Sequence, residues 1–489
     1  MPAEGFDVVV VGAGAAGCAL AARLGADRRV LLLEAGPAAV PDALRAVSSL
    51  AATTIGHPLN WAHPAELRAG HATVVPRGRV LGGSSAINGA VWMHATPADQ
   101  AAWGLDLTDC YARAATDLDT GRGRGPVPVR RPAGPLRHPA TDRFLAAADA
   151  LGLPREEDKN AGGPPGAGLV PSNNRDGLRV DAATAYLGPA GPGRGAEPVG
   201  DRHPGAAPAG TGVTVRSGVT VRRILMHGRR AAGVELADGT RIRADVTALA
   251  AGAVGTAHLL LASGIGPADE LRAAGITARA DLPVGRDVTD HPAVFLGFRA
   301  GSDAPDPPPH PHAPAAQAAA DLDSGADPAG DVEVLLFARP FTPAGELHLM
   351  CLLQYPDSRG AITLPQAGGA PRIEYRYLRT EYDRRRLRHA LRTAAELLRA
   401  GLGERVGLDA ADLATDRATD GWIAAHLTTA VHLCGSAAIG RVVDARLRVL
   451  GIEGLRVADT SVLPAAPRRG PAATAVALGE LAAELVRSG

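Results

Sequence analysis

The feature that most constrains this chain is a glycine-rich turn that lies between two short apolar runs near its N-terminus. The first run, residues 6–11, reads FDVVVV, and the second, residues 29–33, ends directly before Glu34. Between them the turn GAGAAG occupies residues 12–17 and is followed by helix-forming residues up to Leu24. A strand, a glycine turn, a helix and a second strand form a βαβ unit, so the sequence predicts an α/β fold.

The turn carries glycine at Gly12, Gly14 and Gly17, the spacing typical of dinucleotide-binding proteins. Glycines let the main chain approach a pyrophosphate at the start of the helix, where free N–H groups and the helix dipole favour an anion. Glu34 stands 22 residues after Gly12 and can accept hydrogen bonds from an adenosine ribose. A tight turn without a ligand is the alternative interpretation. The sequence EAG at residues 34–36 resembles that of flavoproteins and favours FAD over NAD.

The composition excludes several classes of protein. The chain has 489 residues, enough for about two to four domains, and its 51 basic and 51 acidic residues leave no net charge that would attract nucleic acid. The four cysteines are far apart and form no metal-ligand motif, which predicts free thiols in a reducing compartment. We find no signal peptide and no uninterrupted apolar run of about eighteen residues. The sequence therefore predicts a soluble cytoplasmic protein without a transmembrane segment, for which peripheral contact with a membrane is left open.

The rest of the chain alternates between strand and helix patterns. Strand patterns cover residues 213–225, 230–236, 241–251, 332–338 and 346–353, and helix patterns cover residues 382–402 and 472–486. Asp238 and Gly239 predict a hairpin turn. Two long stretches rich in glycine and proline, residues 188–212 and 303–330, are expected to be mobile surface excursions.

Four ordered motifs resemble the glucose–methanol–choline (GMC) family of FAD oxidoreductases. Residues 78–89 read GRVLGGSSAING and are similar to the first signature of the family, while residues 252–267, GAVGTAHLLLASGIGP, are similar to the second. Residues 432–440, HLCGSAAIG, and 454–464, GLRVADTSVLP, complete the pattern towards the C-terminus. The resemblance covers nearly the whole chain apart from the two stretches rich in glycine and proline.

The resemblance implies a Rossmann-like FAD-binding domain interleaved with a substrate domain that is built on an antiparallel sheet with helices. Residues 1–293 are expected to be mainly FAD-binding, residues 294–439 to form the substrate domain, and residues 440–489 to return to the FAD-binding domain. The residues expected to bind FAD are Gly12, Gly14, Gly17, Glu34, Gly82, Gly83, Ser84, Asn88, Val221, Gly252 and Asp459. Some members attach FAD through a histidine between positions 84 and 88, and this chain has none there, so we expect non-covalent FAD.

Two positions carry the chemistry that the resemblance implies. His432 matches the family's catalytic base, which removes the alcohol proton while the alcohol carbon gives a hydride to flavin N5. The family usually places a second His or Asn three residues before a threonine that starts the last helix. Counting back from Thr474 gives Pro471, which has no polar side chain, so the second hydrogen bond to the substrate oxygen is missing or comes from elsewhere. His291 matches a structural Asp-His-Pro turn.

The last motif bears on the substrate. Residues 468–474, RRGPAAT, resemble those of GMC dehydrogenases associated with the redox peptide mycofactocin. This resemblance implies reoxidation of reduced mycofactocin, with electrons passed to a quinone or the respiratory chain. It makes Arg468 and Arg469 candidate contacts for the polar surface of a large substrate, and solvated surface charges are the alternative.

Three other functions are alternatives to this interpretation. The first is a small-alcohol oxidase or dehydrogenase of the choline, aryl-alcohol or pyridoxine type, which uses oxygen or another acceptor. The second is a flavin-binding protein without catalysis, which the presence of His432 disfavours. The third is a hydrolase with Ser84 as nucleophile, which the lack of a GxSxG elbow disfavours.

Overall fold

The computed structural model describes residues 5–188, 212–299, 308–341 and 345–489. In these ranges the framework consists of three large sheets and two sheets of two strands each. We call the first large sheet the central sheet and the antiparallel seven-stranded sheet the substrate sheet.

The central sheet is built from the apolar segments that the sequence predicts. Its parallel strands are, in spatial order, Val213–Arg216, Val30–Leu33, Phe6–Val11, Arg241–Leu249 and Leu455–Val457. The start of Arg241–Leu249 also pairs in antiparallel fashion with Arg230–Leu236, which pairs in turn with Val221–His227. The buried strands are runs of valine and leucine because both faces of a parallel sheet are covered.

The C-terminal helix returns the chain to the glycine turn. The helix Ala15–Leu24 packs on the central sheet, and the last helix, Ala472–Arg487, packs on that helix. The two helices approach closely, because a Cβ atom at Gly479 would lie 2.3 Å from the carbonyl oxygen of Ala16. Small residues on both helices permit this spacing, which brings the segment before Ala472 next to the N-terminal region.

The substrate sheet is antiparallel. Its strands are, in spatial order, Glu404–Val406, Pro292–Arg299, Leu347–Leu353, Val332–Phe337, Ala316–Leu322 and Ala167–Leu169, and Thr428–Thr429 also pairs with Pro292–Arg299. The long helix Glu381–Leu397 packs against this sheet. The strand Ala167–Leu169 comes from the N-terminal region, so the two domains are interleaved in the chain.

The remaining elements connect these layers. The third large sheet consists of Arg286–Val288, Gly360–Thr363, Arg372–Glu374, His63–Arg68 and His71–Val75. Further α-helices are Pro97–Trp103, Thr108–Ala114, Pro139–Ala150, Ala182–Leu187, Gly252–Ala262, Ala268–Ala273, Ala410–Leu413 and Asp416–His426. The short sheets pair Ala115–Asp117 with Val127–Val129 and Asn174–Arg175 with Leu178–Arg179.

The α/β fold class, the βαβ unit and both long helices are confirmed. The hairpin turn at Asp238 and Gly239 is also confirmed, since it joins two paired antiparallel strands. Within the described ranges, no helix is both long and apolar enough to cross a membrane. The division at residues 293 and 439 stays a prediction, and the strand Pro292–Arg299 runs across the first of these boundaries.

The prediction of a mobile excursion over residues 303–330 is wrong for much of that segment. Residues 303–307 lie outside the described ranges, but Ala316–Leu322 is a fully buried strand that is paired on both sides. Its sequence, AQAAADL, hides the strand because alanine is depleted in strands and the run shows no alternation. The other expected excursion, residues 188–212, lies outside the described residues except at its two ends.

Candidate active site

Gly12, Gly14 and Gly17 form a tight turn at the start of the helix Ala15–Leu24. Gly12 has a φ of +98°, and a Cβ atom at Gly17 would lie 1.9 Å from the carbonyl oxygen of Gly12. Gly14 is the N-cap residue, and no side chain accepts a hydrogen bond from the first turn of the helix. A helix N-terminus without a capping side chain, reached through a turn of glycine and alanine alone, fits an anion such as a pyrophosphate.

Glu34 lies directly beside this turn. Its Oε2 accepts a hydrogen bond from the Ala13 N–H at 3.1 Å, and its Oε1 accepts one from the Gly36 N–H at 2.9 Å. The side chain is buried, and this burial raises the pKa of the carboxyl group. The acid and the glycine turn that the sequence predicts to act together are therefore in contact.

Val219 contacts Glu34, and it lies two positions before Val221, the valine that is expected to bind FAD. The N–H of Val219 donates to the carbonyl oxygen of Glu34 at 2.8 Å. Val221 instead begins the strand Val221–His227 and pairs with Leu236 in the antiparallel part of the sheet. The expectation that Val221 binds FAD stays a prediction.

The first-signature loop packs on the glycine turn. The N–H of Gly82 donates to the carbonyl oxygen of Ala13 at 2.8 Å, and a Cβ atom at Gly83 would lie 2.7 Å from Cα of Gly14. Both signature glycines have positive φ, +94° at Gly82 and +54° at Gly83. The paired glycines are thus required by a close approach of two main chains.

The polar residues of this loop hold its own backbone. Ser84 Oγ accepts a hydrogen bond from the Gly78 N–H at 3.1 Å. Asn88 Oδ1 accepts one from the N–H of Ala90 at 3.0 Å, where Ala90 has a φ of +56°. Asn88 therefore stabilises a strained local turn through main-chain contacts.

Asp459 caps the helix Gly252–Ala262 from a distant part of the chain. Its Oδ2 accepts hydrogen bonds from the Gly252 N–H at 2.9 Å and from Thr256 Oγ1 at 2.6 Å, while Oδ1 accepts one from the Ser461 N–H at 2.8 Å. Burial raises the pKa of this carboxyl group. The carboxylate is thus engaged within the protein, and only the main chain at Asp459 is left for a cofactor.

These residues fit a dinucleotide cofactor such as FAD. Gly12 and Gly17 leave no room for side chains in the turn where a pyrophosphate would lie, since a Cβ atom at either would clash with main-chain oxygen atoms. Glu34 is placed to accept from the adenosine ribose, and residues 82–89 form the adjoining wall. The fit rests on the tight glycine contacts and the helix end without a capping side chain, both of which are observed.

His432 and His291 are in direct contact, although the chain separates them by 141 residues. Their Nδ1 atoms lie 2.8 Å apart, and the two rings meet edge to face with centroids 5.0 Å apart. Asp290 Oδ1 accepts hydrogen bonds from the main-chain N–H groups of both histidines, at 2.7 Å from His291 and 2.8 Å from His432. The sequence predicts a structural turn at Asp290 to Pro292, but it does not show that this turn positions His432.

The electrostatic surroundings keep His432 neutral. Burial lowers its pKa well below the usual value of a histidine, and the nearby charges of His291 and Arg77 act in the same direction. Arg77 donates to the carbonyl oxygen of Val431, the residue before His432. Val431 has a φ of +60°, which is rare for a β-branched residue and marks a backbone held by its contacts. A neutral imidazole is the form that can accept a proton.

The other edge of the His432 ring faces the segment that carries Pro471. A Cβ atom at Gly470 would lie 3.6 Å from both Cε1 and Nε2 of His432. Pro471 follows as the N-cap residue of the helix Ala472–Arg487. The position expected to hold a second polar side chain therefore lies near Nε2, and proline supplies no donor there.

The two arginines before this segment do not lie on the surface. Arg468 is 6% exposed and forms ion pairs with Asp99 and Asp327, and Arg469 is 3% exposed and pairs with two buried carboxylates. The expectation that they contact the polar surface of a large substrate is wrong, and so is the alternative of solvated surface charges. The sequence could not show this because the acidic partners come from distant parts of the chain.

A cavity of about 280 Å³ lies on one side of this arginine segment. Its wall includes Trp92, His94, Tyr111, Lys159 and Arg469, and the rings of His94 and Tyr111 are stacked with centroids 4.1 Å apart. Neither His432 nor the glycine turn at residues 12–17 belongs to this wall.

Comparisons with known proteins agree with these features. Two family profiles described as GMC oxidoreductase match, the N-terminal one over residues 6–199 and 205–293 and the C-terminal one over residues 356–479. A GMC-type oxidoreductase of uncharacterized function in the thcA 5' region of Rhodococcus erythropolis is 36% identical, over 99% of both chains. The pyridoxine 4-oxidase of Microbacterium luteolum is 33% identical, over 94% of this chain and 95% of its own. The crystal structure of pyridoxine 4-oxidase from Mesorbium loti superposes with a TM-score of 0.85 and 28% identity, over 99% of both chains.

Proposed function

The chain belongs to the glucose–methanol–choline (GMC) oxidoreductase family and is an FAD-dependent oxidoreductase that acts on CH–OH donors. From this premise we propose that Nε2 of His432 is the base that deprotonates the alcohol. FAD, when bound, accepts the hydride from the alcohol carbon. The chain's own part is to hold the alcohol and to take its O–H proton.

The orientation of the His432 ring carries this proposal. Its Nδ1 atom is engaged with Nδ1 of His291 at 2.8 Å, which leaves Nε2 to meet a substrate. Gly470 leaves the space beside Nε2 free of a side chain. Because the pKa of His432 is lowered, its ring is neutral at pH 7, which is the form that has a free lone pair for a proton.

The activity is tested by mixing the holoenzyme with alcohols in the absence of oxygen. Pyridoxine, benzyl alcohol and choline are added separately, and the flavin absorbance and the carbonyl product are followed. At least one alcohol should bleach the flavin with one carbonyl formed per flavin. Reduced mycofactocin is added in a further sample. If neither it nor any of the three alcohols bleaches the flavin, alcohol oxidation is rejected.

A finer proposal concerns the substrate and the electron acceptor. The resemblance of residues 468–474 to mycofactocin-associated dehydrogenases supports reduced mycofactocin as substrate and a quinone or the respiratory chain as acceptor. This support is the motif alone, since Arg468 and Arg469 are occupied by internal ion pairs. Reduced mycofactocin should bleach the flavin faster than any small alcohol, and a quinone should restore the oxidised spectrum faster than air.

A small-alcohol oxidase is the competing proposal. It is supported by the 33% identity to a pyridoxine 4-oxidase over nearly the whole chain. Rapid turnover of pyridoxine with one hydrogen peroxide formed per turnover would favour this activity and reject the mycofactocin proposal. Two other proposals stay with either activity: FAD is bound non-covalently, and the protein acts in the cytoplasm, alone or at the membrane surface.

A further inference from the structure

A row of buried polar side chains crosses the face of the substrate sheet that carries His291. Asp321 is directly opposite Glu333, and Glu333 is directly opposite Leu352. Gln354 lies just after the strand end at Leu353 and contacts Glu333 on this side. His291 lies just before the strand Pro292–Arg299, two residues before Ala293, the partner of Leu352, and its ring is beside the main chain of Gln354. The four polar residues are each at most 3% exposed.

Every member of this row has one polar atom without a hydrogen-bond partner. Among the described residues these atoms are His291 Nε2, Gln354 Oε1, Glu333 Oε1 and Asp321 Oδ1, and each has less than 1 Å² of accessible surface. The middle of the row is already joined, because Gln354 Nε2 donates to Glu333 Oε2. Buried polar atoms are nearly always paired in folded proteins, so the two ends of this row require an explanation.

The charges around Asp321 show where a proton must be. Lys159 Nζ lies 2.6 Å from Asp321 Oδ2 and 2.6 Å from Glu156 Oε2. Arg469 Nη1 lies 2.6 Å from Asp321 Oδ2, and Arg469 Nη2 lies 3.0 Å from Glu156 Oε1. Two cations are thus matched by two carboxylates, and Glu333 is the third carboxyl group in the cluster.

An ionised Glu333 would leave one uncompensated buried negative charge. Burial and the charge of Asp321 raise the pKa of Glu333 to about 8, although Arg469 and Lys159 oppose this. At neutral pH the side chain therefore keeps its proton and can donate one hydrogen bond. The unpaired oxygen of Asp321, on the adjacent strand, is the acceptor that it lacks.

We propose that His291, Gln354, Glu333 and Asp321 form one hydrogen-bonded row that sets the tautomer of His432. Protonated Glu333 donates to Asp321 Oδ1, and Gln354 donates through Nε2 to Glu333 and accepts through Oε1 from the Nε2–H of His291. This leaves His291 Nδ1 without a proton, so it accepts from the Nδ1–H of His432. The inference rests on the proposed function, since Nε2 of His432 is then the free base.

The position of the row excludes a direct contact with substrate. The four unpaired atoms have no accessible surface to offer a ligand, whereas His291 touches the base at 2.8 Å. The main-chain carbonyls of Pro467 and Gln354 also lie beside the His291 ring. Gln354, Glu333 and Asp321 are thus positioning residues that act through His291.

Two substitutions test the row with the holoenzyme and an alcohol that reduces it. Gln354→Leu removes the side-chain acceptor for His291 and should slow flavin reduction at saturating alcohol by about 10- to 100-fold, with little change in the alcohol's dissociation constant, because wrong tautomers of a catalytic histidine are costly. Gln354→Glu should restore part of the rate, since it again offers an oxygen to His291.

Glu333→Gln tests the proton directly. In the wild-type protein, the infrared spectrum should lose a protonated-carboxyl band as the pH rises through about 8, and the flavin reduction rate should change over the same range. Both changes should be absent in Glu333→Gln and present in the matched control Glu346→Gln. In the wild-type protein the carboxylate of Glu346 pairs with Arg299, at the end of the strand Pro292–Arg299.

The outcomes separate this inference from the proposed function. If an alcohol reduces the wild-type flavin, but Glu333→Gln keeps the infrared band and Gln354→Leu keeps the wild-type rate, the row is rejected and the base stands. If Gln354→Leu does not fold, the infrared comparison with Glu333→Gln alone decides. If no alcohol reduces the wild-type flavin, the proposed function fails, and the infrared band still tests the proton on Glu333.

Discussion

Nδ1 of His291 and Nδ1 of His432 lie 2.8 Å apart, with their rings edge to face. A contact of this kind needs one proton between two ring nitrogens, so the tautomer of one ring determines the tautomer of the other. Asp290 binds the main-chain N–H of both histidines and holds them in this arrangement. The pair therefore links the substrate sheet to the segment that carries His432.

The first prediction concerns His291. His291→Ala removes the partner of His432 Nδ1 and should slow flavin reduction by about 10- to 100-fold while FAD stays bound. His291→Asn places an amide oxygen near the Nδ1 position and should recover part of the lost rate. Stopped-flow absorbance measures both variants, and equal rates for His291→Ala and wild type would show that the contact has no role in the reaction.

The second prediction concerns the stability of the protein in acid. Burial lowers the pKa of His94 to about 4, whereas the unfolded chain has the ordinary histidine value near 6.5. Between these values the unfolded state binds more protons, so His94 costs stability as the pH falls through this range. His94→Phe keeps the stack on Tyr111 and removes the titration. As the pH is lowered from 7 to 5, the melting temperature of His94→Phe should rise relative to that of the wild type. A difference in melting temperature that does not change with pH would contradict the lowered pKa of His94.

The third prediction concerns the attachment of the cofactor. No histidine lies between Ser84 and Asn88, and both residues hold the local main chain through hydrogen bonds. Acid precipitation of the purified protein should therefore release yellow FAD into the supernatant. Flavin that remains in the protein pellet would show a covalent bond.

The fourth prediction concerns the glycine turn. Gly17→Ala introduces a Cβ atom 1.9 Å from the carbonyl oxygen of Gly12, so the turn must open where the pyrophosphate would bind. FAD should bind about 10- to 100-fold more weakly, which corresponds to roughly 1.4–2.8 kcal/mol. Gly421→Ala is the matched control, since that helical glycine has no heavy atom within 4 Å of the new Cβ. Fluorescence titration of the apoprotein with FAD gives both constants, and equal values would contradict the role of the turn.

Local patterns predicted the parts of the molecule that local physics determines. The turn from Gly12 to Gly17 could be identified because only glycine fits its φ angle and close contacts, and Glu34 follows at a fixed spacing. The strand Ala316–Leu322 was missed because its alanines show no alternation, and pairing on both sides forms the strand instead.

The environment of His432 could not be predicted, because it is assembled from distant segments. His291 and His432 are 141 residues apart, and Arg469 meets Asp321 across 148 residues. A residue such as Arg469 carries the same sequence signal whether it lies on the surface or in a buried ion pair. Only the register of the substrate sheet shows that Asp321, Glu333 and Gln354 share one face with His291.

The most direct test of the central claim is anaerobic stopped-flow reduction of the flavin in His432→Ala. With an alcohol that reduces the wild-type flavin, the variant should bind FAD normally and be reduced about 10²- to 10⁴-fold more slowly, because the base is missing. The matched control is His426→Ala, which removes an exposed histidine six positions away that stacks on Trp422. The control should be reduced at the wild-type rate. A rate for His432→Ala equal to that of the control would contradict the assignment of His432 as the base.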